Sequence, residues 1–207
     1  MSTLQTLSID GPAGALAAQL KTAPRGRPIA VLCHPHPLYG GSMHDAVLGV
    51  AADCAHNLGM SSFAFNFRGV GASGGKHQPT AGVPDEVDDL CAVLNWVTTQ
   101  QLSQDVIAIG YSFGASVVSH CVSRTAPDSR IDRAVLIAPP NAVMSCQTDV
   151  ASQLTDVIYG DQDDYVDPTA YQQVPHVAVH KLTNCDHFFS AAHDSLAHTL
   201  SNILNSL

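Results

Sequence analysis

The stretch Asp-Val-Ile-Ala-Ile-Gly-Tyr-Ser-Phe-Gly-Ala-Ser-Val-Val-Ser-His-Cys-Val, residues 105–122, decides how this chain is expected to fold. Its first part is an apolar run typical of a buried strand, and its second part has apolar side chains at helical spacing. Between them lies the turn Gly110-Tyr111-Ser112-Phe113-Gly114. Because glycine lacks a Cβ atom, Gly110 and Gly114 permit a sharp strand-to-helix turn. The pattern therefore predicts that the Ser112 hydroxyl is presented at the carboxyl end of a strand, as a candidate nucleophile.

A second match to the same G-x-S-x-G spacing, Gly71-Ala72-Ser73-Gly74-Gly75, lacks this context. The residues that follow it, Lys76-His77-Gln78-Pro79, have no helical pattern. We therefore expect a loop around Ser73 and predict no nucleophile there.

Two later loops carry the residue types that activate a serine. Four carboxylates lie between Asp161 and Asp167, directly after a strand pattern that ends at Gly160. Asp163 fits best as the acid that orients a histidine, with Asp164 and then Asp161 as alternatives. Among eleven histidines, only His187 combines a loop position, a place after the acid and flanking aromatic residues. We expect His187 to be the general base and Asp163 to orient its ring.

With these residues in place, the chain resembles the small α/β-hydrolases of the lidless serine esterase or dienelactone-hydrolase-like type. Three further segments carry the resemblance: residues 31–41 resemble the family's histidine-containing loop after the third strand, residues 66–73 resemble its R-G-x-G-x-S loop, and residues 186–188 resemble its histidine loop. Many relatives have Asp at the position of Asn66, so an ion pair from there to Arg68 is not expected. We interpret Arg68 as structural, holding the loop under the site.

The resemblance implies that backbone N–H groups stabilise an oxyanion, one from Phe113 and one from the loop at residues 34–38. Pro35 and Pro37 have no N–H, so His36 is the predicted second donor and Leu38 the alternative. The His34-x-His36 pair also suggests a metal. Alternate residues of an extended loop point to opposite sides, however, and no cluster of acids and histidines lies nearby in sequence, so we expect no metal.

The function implied is a serine hydrolase that acts on carboxylic esters through Ser112, His187 and Asp163, without a cofactor. An acyl-enzyme forms and is hydrolysed, and the partner is a small-molecule, short-acyl ester. Thioesterase, lactonase or amidase activity uses the same groups and remains an alternative. A non-catalytic binding module on the same scaffold is the alternative from another class.

Composition agrees with one domain over residues 1–207. The chain is 45% hydrophobic and has a formal net charge of −9, which argues against nucleic-acid binding. The first residues lack the features of a signal peptide, and no apolar run is long enough to span a membrane, so a cytoplasmic location is expected. The six cysteines fall singly, and we expect reduced thiols, with Cys185 facing the site.

Periodicity predicts an α/β fold, a mostly parallel sheet with helices on both faces. An antiparallel pair of strands leads the chain. The predicted strands are 3–9, 13–21, 28–33, 61–67, 105–110, 133–138, 154–159 and 176–182, and the predicted helices are 43–58, 84–101, the helix ending near 125, 168–173 and a last one from Ala192 to Leu207. Asp167 is the expected cap of the helix at Pro168. The gap of about fifteen residues between Ala138 and Leu154 leaves no room for a substantial lid. The site should be shallow, roofed by residues 36–43 and 139–148.

Overall fold

One eight-stranded sheet organises the described part of the chain, residues 3–24, 27–103, 105–125, 130–148 and 154–206 of a computed structural model. The strands are β1 (Leu4–Ile9), β2 (Leu16–Lys21), β3 (Ile29–Cys33), β4 (Ser61–Phe65), β5 (Val106–Tyr111), β6 (Arg133–Ile137), β7 (Leu154–Gly160) and β8 (Val177–Leu182). The helices are α1 (Ala46–Asn57), α2 (Glu86–Thr99), α3 (Phe113–Thr125) and α4 (His193–Asn205), with short 3-10 turns at Pro37–Tyr39 and Pro168–Tyr171.

The order of strands across the sheet is β1-β2-β4-β3-β5-β6-β7-β8. β2 pairs antiparallel with β1 and with β4, and all the other neighbours are parallel. The predicted leading antiparallel pair and the mostly parallel sheet are therefore confirmed. β3 and β5 are buried along their whole length because helices cover both faces, which explains their unbroken apolar sequences.

Two helical layers enclose the sheet. α1 and α4 pack together on one face, and α2 and α3 pack together on the other. The apolar spacing that predicted α4 is confirmed, because Leu196, Leu200 and Leu204 are buried against the sheet. Leu207, the last residue of the predicted helix, lies outside the described residues.

Several predicted helices and strands are longer than the observed ones, and side-chain contacts explain where the observed elements begin or end. α1 begins at Ala46 rather than at residue 43, because the Asp45 carboxylate accepts the N–H groups of Val47 and Leu48 at 2.9 and 3.3 Å. β4 ends at Phe65 rather than at residue 67, where the backbone N–H of Phe67 instead donates to a histidine ring. The predicted cap at the second 3-10 turn is confirmed, since Asp167 accepts the Thr169 N–H at 2.9 Å.

The described part of the segment between β6 and β7 carries no substantial lid. Residues 138–148 form neither helix nor strand, and residues 149–153 lie outside the described part of the chain. Among the described residues, no helix is both long enough and apolar enough to cross a bilayer. All six cysteines lie in the described ranges and are reduced.

Candidate active site

The turn after β5 holds Ser112 in a left-handed backbone conformation, with φ of 52°. This conformation is uncommon for a residue with a side chain and is found at strained functional turns. The flanking glycines are sterically required: a Cβ atom at Gly110 would lie 2.3 Å from the Gly114 carbonyl oxygen, and one at Gly114 would lie 2.0 Å from the Cys33 carbonyl oxygen. The turn therefore projects the serine side chain beyond the carboxyl end of β5.

Ser112, His187 and Asp163 form one series of hydrogen bonds. Ser112 Oγ lies 2.9 Å from His187 Nε2, and His187 Nδ1 lies 2.8 Å from Asp163 Oδ2. The Asp163 side chain is fully buried, and its other oxygen accepts the Tyr165 N–H at 2.9 Å. With Nδ1–H directed at the carboxylate, Nε2 is left to accept the serine proton.

The two alternative acids lie elsewhere. Asp164 is exposed, and Asp161 uses Oδ1 to accept the Cys185 N–H at 3.3 Å. The Asp163 N–H donates to the Gly160 carbonyl at 3.1 Å, so a tight turn directly after β7 brings this carboxylate inward. Of the three candidates, Asp163 is the one whose carboxylate contacts the His187 ring.

Two tyrosines contact the histidine loop, and neither was predicted from the sequence. The Tyr111 hydroxyl donates to the His187 carbonyl at 3.0 Å, and the Tyr165 ring centroid lies 4.7 Å from that of His187. Burial raises the pKa of Tyr111, so its hydroxyl keeps the proton that it donates. Tyr111 directly precedes Ser112, and this position in the turn was the only sequence signal for it.

His36 and Phe113, the residues whose N–H groups are the predicted oxyanion donors, have side-chain rings in contact. As the first residue of α3, Phe113 has an N–H without a partner inside the helix, and its ring centroid lies 5.0 Å from that of His36. The Leu38 N–H donates to His36 Nδ1 at 3.2 Å, which occupies the alternative donor. The His36 carbonyl in turn accepts the N–H groups of Tyr39 and Gly41 at 3.0 and 3.1 Å, so this loop is rigidly hydrogen-bonded.

A buried His77–Glu86 pair lies behind these two residues, and nothing in the sequence pattern predicted it. His77 Nδ1 is 2.8 Å from Glu86 Oε1, and the Glu86 side chain is fully buried. The His77 ring packs edge-on against those of His36 and Phe113, at 5.0 and 5.6 Å between centroids. Both residues line a small cavity of about 60 Å³, which shares His36 and Met144 with the larger cavity at Ser112.

Both ring nitrogens of His34 are hydrogen-bonded to backbone groups. Nε2 accepts the Phe67 N–H at 3.0 Å, and Nδ1–H donates to the Pro35 carbonyl at 2.7 Å. Burial lowers the pKa of His34 to about 4, so the neutral ring can make both bonds. Neither nitrogen is left for a metal ion, and no cluster of three His, Cys, Asp or Glu side chains in the described ranges is arranged to hold one.

Arg68 has the structural role predicted for it. Its guanidinium donates to the buried Asp89 carboxylate at 2.8 and 3.1 Å, and its backbone N–H donates to the same carboxylate at 3.0 Å. Asn66 is not its partner: the Asn66 side-chain oxygen accepts the Met43 N–H at 2.8 Å. The bonds between Arg68 and Asp89 anchor the loop to the start of α2.

Ser73, in the second G-x-S-x-G match, is also structural. Its buried hydroxyl donates to the Asn66 carbonyl at 2.7 Å and accepts the Ala17 N–H at 3.0 Å. The hydroxyl therefore joins the loop to β2, and Ser73 lines neither of the two cavities.

A cavity of about 650 Å³ opens beside Ser112 and His187. The loops predicted to roof it do border it, through residues 35–41 and 140–144. Its mouth carries exposed apolar side chains, with Tyr39 88%, Phe188 64% and Val143 60% exposed. The expectation that Cys185 faces this site is wrong, because Cys185 is buried in the core against Gly160 and lines no part of the cavity.

Comparison with known proteins identifies a matching family and similar solved structures. Residues 38–156 match the family model described as serine aminopeptidase, S33, a range that contains Ser112 and ends before Asp163 and His187. An α/β serine hydrolase homologue from Coxiella burnetii is similar at 30% identity and a TM-score of 0.83, covering 97% of both chains. XC6422 from Xanthomonas campestris, a lidless α/β serine hydrolase, is similar at 30% identity and a TM-score of 0.77, covering 98% of this chain and 94% of its own.

A curated relative, the uncharacterized protein RP471 of Rickettsia prowazekii, is 35% identical over 133 residues. The matched region is 63% of this chain and 53% of that relative, so the chain spans about half the length of the curated relative that it matches.

Proposed function

The chain belongs to the α/β serine hydrolases of the family described as serine aminopeptidase S33, and from this premise we propose that it hydrolyses carboxylic esters through Ser112, His187 and Asp163. The observation that carries the proposal is the hydrogen-bonded series from Ser112 Oγ through His187 to Asp163, at 2.9 and 2.8 Å. This series opens onto a cavity large enough for a small molecule.

In the proposed mechanism, His187 Nε2 takes the hydroxyl proton as Ser112 Oγ attacks the acyl carbon. Asp163 keeps the imidazole in the productive tautomer and stabilises the imidazolium that forms. His187 then protonates the departing alcohol and leaves an ester between the acyl group and Ser112. Water, deprotonated by His187, hydrolyses that ester and regenerates the serine.

The N–H groups of Phe113 and His36 are the proposed oxyanion donors. Two features support this assignment: Phe113 begins α3, where the helix dipole favours negative charge, and the ring of His36 holds the competing Leu38 N–H. All the groups in this mechanism are side chains or backbone amides of the chain itself, so we expect no cofactor.

Small esters with short acyl groups are the proposed substrates. A cavity of about 650 Å³ lies in the range of small-molecule sites, and its mouth is open to solvent. Thioesters, lactones and activated amides are accessible to the same groups and should be compared directly. Cysteines that fall singly in the sequence, without a CxxC motif, fit a reducing compartment, which supports a cytoplasmic location.

The test uses Ser112→Ala with Ser73→Ala as the matched control, since each removes a serine from a G-x-S-x-G sequence. We expect S112A to lose p-nitrophenyl acetate hydrolysis by at least about 10³-fold and to lose fluorophosphonate labelling, with an unchanged circular dichroism spectrum. S73A should keep both. Near-wild-type activity in S112A, or an adduct on another serine, would refute the assignment.

A non-catalytic binding module is distinguished by the same label. A protein of that kind would give no stoichiometric adduct on Ser112 and no turnover across a panel of esters, thioesters and lactones. An adduct on Ser112 with turnover of one class both establishes the enzyme and selects its substrate chemistry.

A further inference from the structure

Two cysteines meet between the helices that lie on one face of the sheet. Cys91 of α2 and Cys121 of α3 have their Sγ atoms 3.6 Å apart. Cys121 is fully buried, whereas Cys91 is partly exposed. The Cys91 thiol is therefore accessible to a small solute, and the Cys121 thiol lies buried in contact with it.

A positively charged side chain completes the cluster. Arg124, one turn after Cys121 on α3, donates to Cys91 Sγ at 2.9 Å. Its other terminal nitrogen donates to the Asp88 carboxylate at 2.7 Å, which fixes the guanidinium over the sulfur. A cation in this position favours the thiolate, the form of cysteine that reacts with oxidants.

The pKa values agree with this geometry. The hydrogen bond from Cys121 lowers the pKa of Cys91 most, and the Arg124 guanidinium lowers it further against the effect of burial, to about 6. The same bond and burial raise the pKa of Cys121, which keeps its proton. For two other cysteines burial raises the pKa of the thiol, to about 12 for Cys146 and to about 11 for Cys185.

We propose that Cys91 and Cys121 are a redox modification site, in which a hydroperoxide oxidises Cys91 and Cys121 then closes a reversible disulfide between α2 and α3. Nothing in the proposed ester hydrolysis uses this pair. Cys121 lies nine residues beyond Ser112, about 13 Å along a helix, so the site is separate from the hydrolytic one.

The chemistry balances in two steps. The Cys91 thiolate attacks the distal oxygen of the hydroperoxide and breaks its O–O bond, which gives a sulfenic acid and an alkoxide or hydroxide; this takes up the proton that the Cys91 thiol lost on ionising and leaves as an alcohol or water. The Cys121 thiol then attacks the Cys91 sulfur, the S–S bond forms, and the sulfenic hydroxyl leaves as water together with the Cys121 proton. Two thiols are oxidised and one hydroperoxide is reduced. A dithiol reductant reverses the bond by thiol–disulfide exchange.

The experiment treats the full-length protein with hydrogen peroxide and follows its intact mass and its non-reduced peptide map. We expect the intact mass to fall by two hydrogen atoms and the non-reduced map to show the peptides of Cys91 and Cys121 joined by a disulfide. Dithiothreitol should restore both thiols. In Cys121→Ser, dimedone should label Cys91, because no thiol remains to resolve the sulfenic acid. The matched control Cys146→Ser should form the disulfide as the wild type does.

Arg124→Gln tests the source of the reactivity. The pH of half-maximal alkylation of Cys91 by iodoacetamide should move from about 6 toward the ordinary thiol value of about 8.5. An unmoved midpoint would overturn the role of Arg124. Oxidation that spares Cys91, that stops at a sulfinic acid, or that links two chains rather than these two helices would overturn the proposal itself.

Discussion

Replacing Asp163 by Asn exchanges one carboxylate oxygen for an NH₂ group and leaves the shape of the side chain unchanged. In the protein, Oδ1 accepts the Tyr165 N–H at 2.9 Å, and Oδ2 faces His187 Nδ1 at 2.8 Å. An asparagine that keeps its carbonyl on Tyr165 presents its NH₂ to Nδ1. The His187 ring must then carry its proton on Nε2, and a protonated Nε2 cannot accept the proton of Ser112.

The size of the loss follows from the same contacts. Turning the amide over would restore the productive tautomer, but it would oppose two donors and leave the partly buried Tyr165 N–H unpaired. That costs about 1–3 kcal/mol, or a factor of about 5 to 150 in population. The turned amide is also uncharged, so the imidazolium formed during the reaction loses its counter-ion. Together these effects should lower kcat by roughly 10⁴-fold, the size expected when the orienting acid of such a triad is made neutral.

Steady-state hydrolysis of p-nitrophenyl acetate measures this loss, with thermal unfolding as the control for folding. Asp164→Asn is the matched control, because its side chain is exposed and one position away. Asp161→Asn should fall between them, since Asp161 supports the histidine loop only through the Cys185 N–H. If D164N loses more activity than D163N, the assignment of the acid is wrong by one residue, although a triad would still stand.

Three further predictions rest on contacts described above. Ser73→Ala should keep its activity per folded molecule while urea unfolding shows a loss of about 1–3 kcal/mol, because the change leaves the partly buried Ala17 N–H unpaired. Inactivity in a folded S73A would contradict this. Between pH 7 and pH 5 the unfolded chain protonates His34, whereas the folded chain does so only near pH 4, so stability should fall by about 2 kcal/mol from this ring alone. Urea unfolding of His34→Gln should show a correspondingly smaller difference between the two pH values, and an equal difference would contradict the buried neutral ring. For acyl length, kcat/KM should be higher with p-nitrophenyl acetate and butyrate than with palmitate, since extra methylenes would lie on a wet, open surface; a preference for palmitate would reveal a deeper channel.

The sequence predicted the β5–α3 turn and the loops after β7 and β8 because strand and helix periods, glycines and chain order are all local signals. Parallel strands bring their carboxyl ends to one edge of the sheet, which is why the sequence alone predicts that Ser112, Asp163 and His187 lie close together. The choice of Asp163 over its neighbours depended on the spacing of one tight turn.

What the sequence missed depends on contacts between distant segments. Glu86 appeared as one more acid in the first turn of a helix, and only the fold buries it against His77 behind the oxyanion loop. The prediction that Cys185 faces the site failed for the same reason. His187, two residues on, lies in the site, but the Cys185 side chain turns inward and packs on Gly160. Side-chain direction within a loop has no periodicity, so position along the chain could not reveal it.

The open mouth lined by Tyr39, Val143 and Phe188 also bears on the fate of the acyl-enzyme. Because no lid covers Ser112 in the part of the chain that the structure describes, bulk solvent should reach the acyl group of the proposed acyl-enzyme as soon as the alcohol leaves. Other alcohols and amines must compete with water at its full concentration, without a dry pocket to exclude it. The geometry thus favours hydrolysis over transfer of the acyl group to another acceptor, so an added alcohol should give little transesterification product.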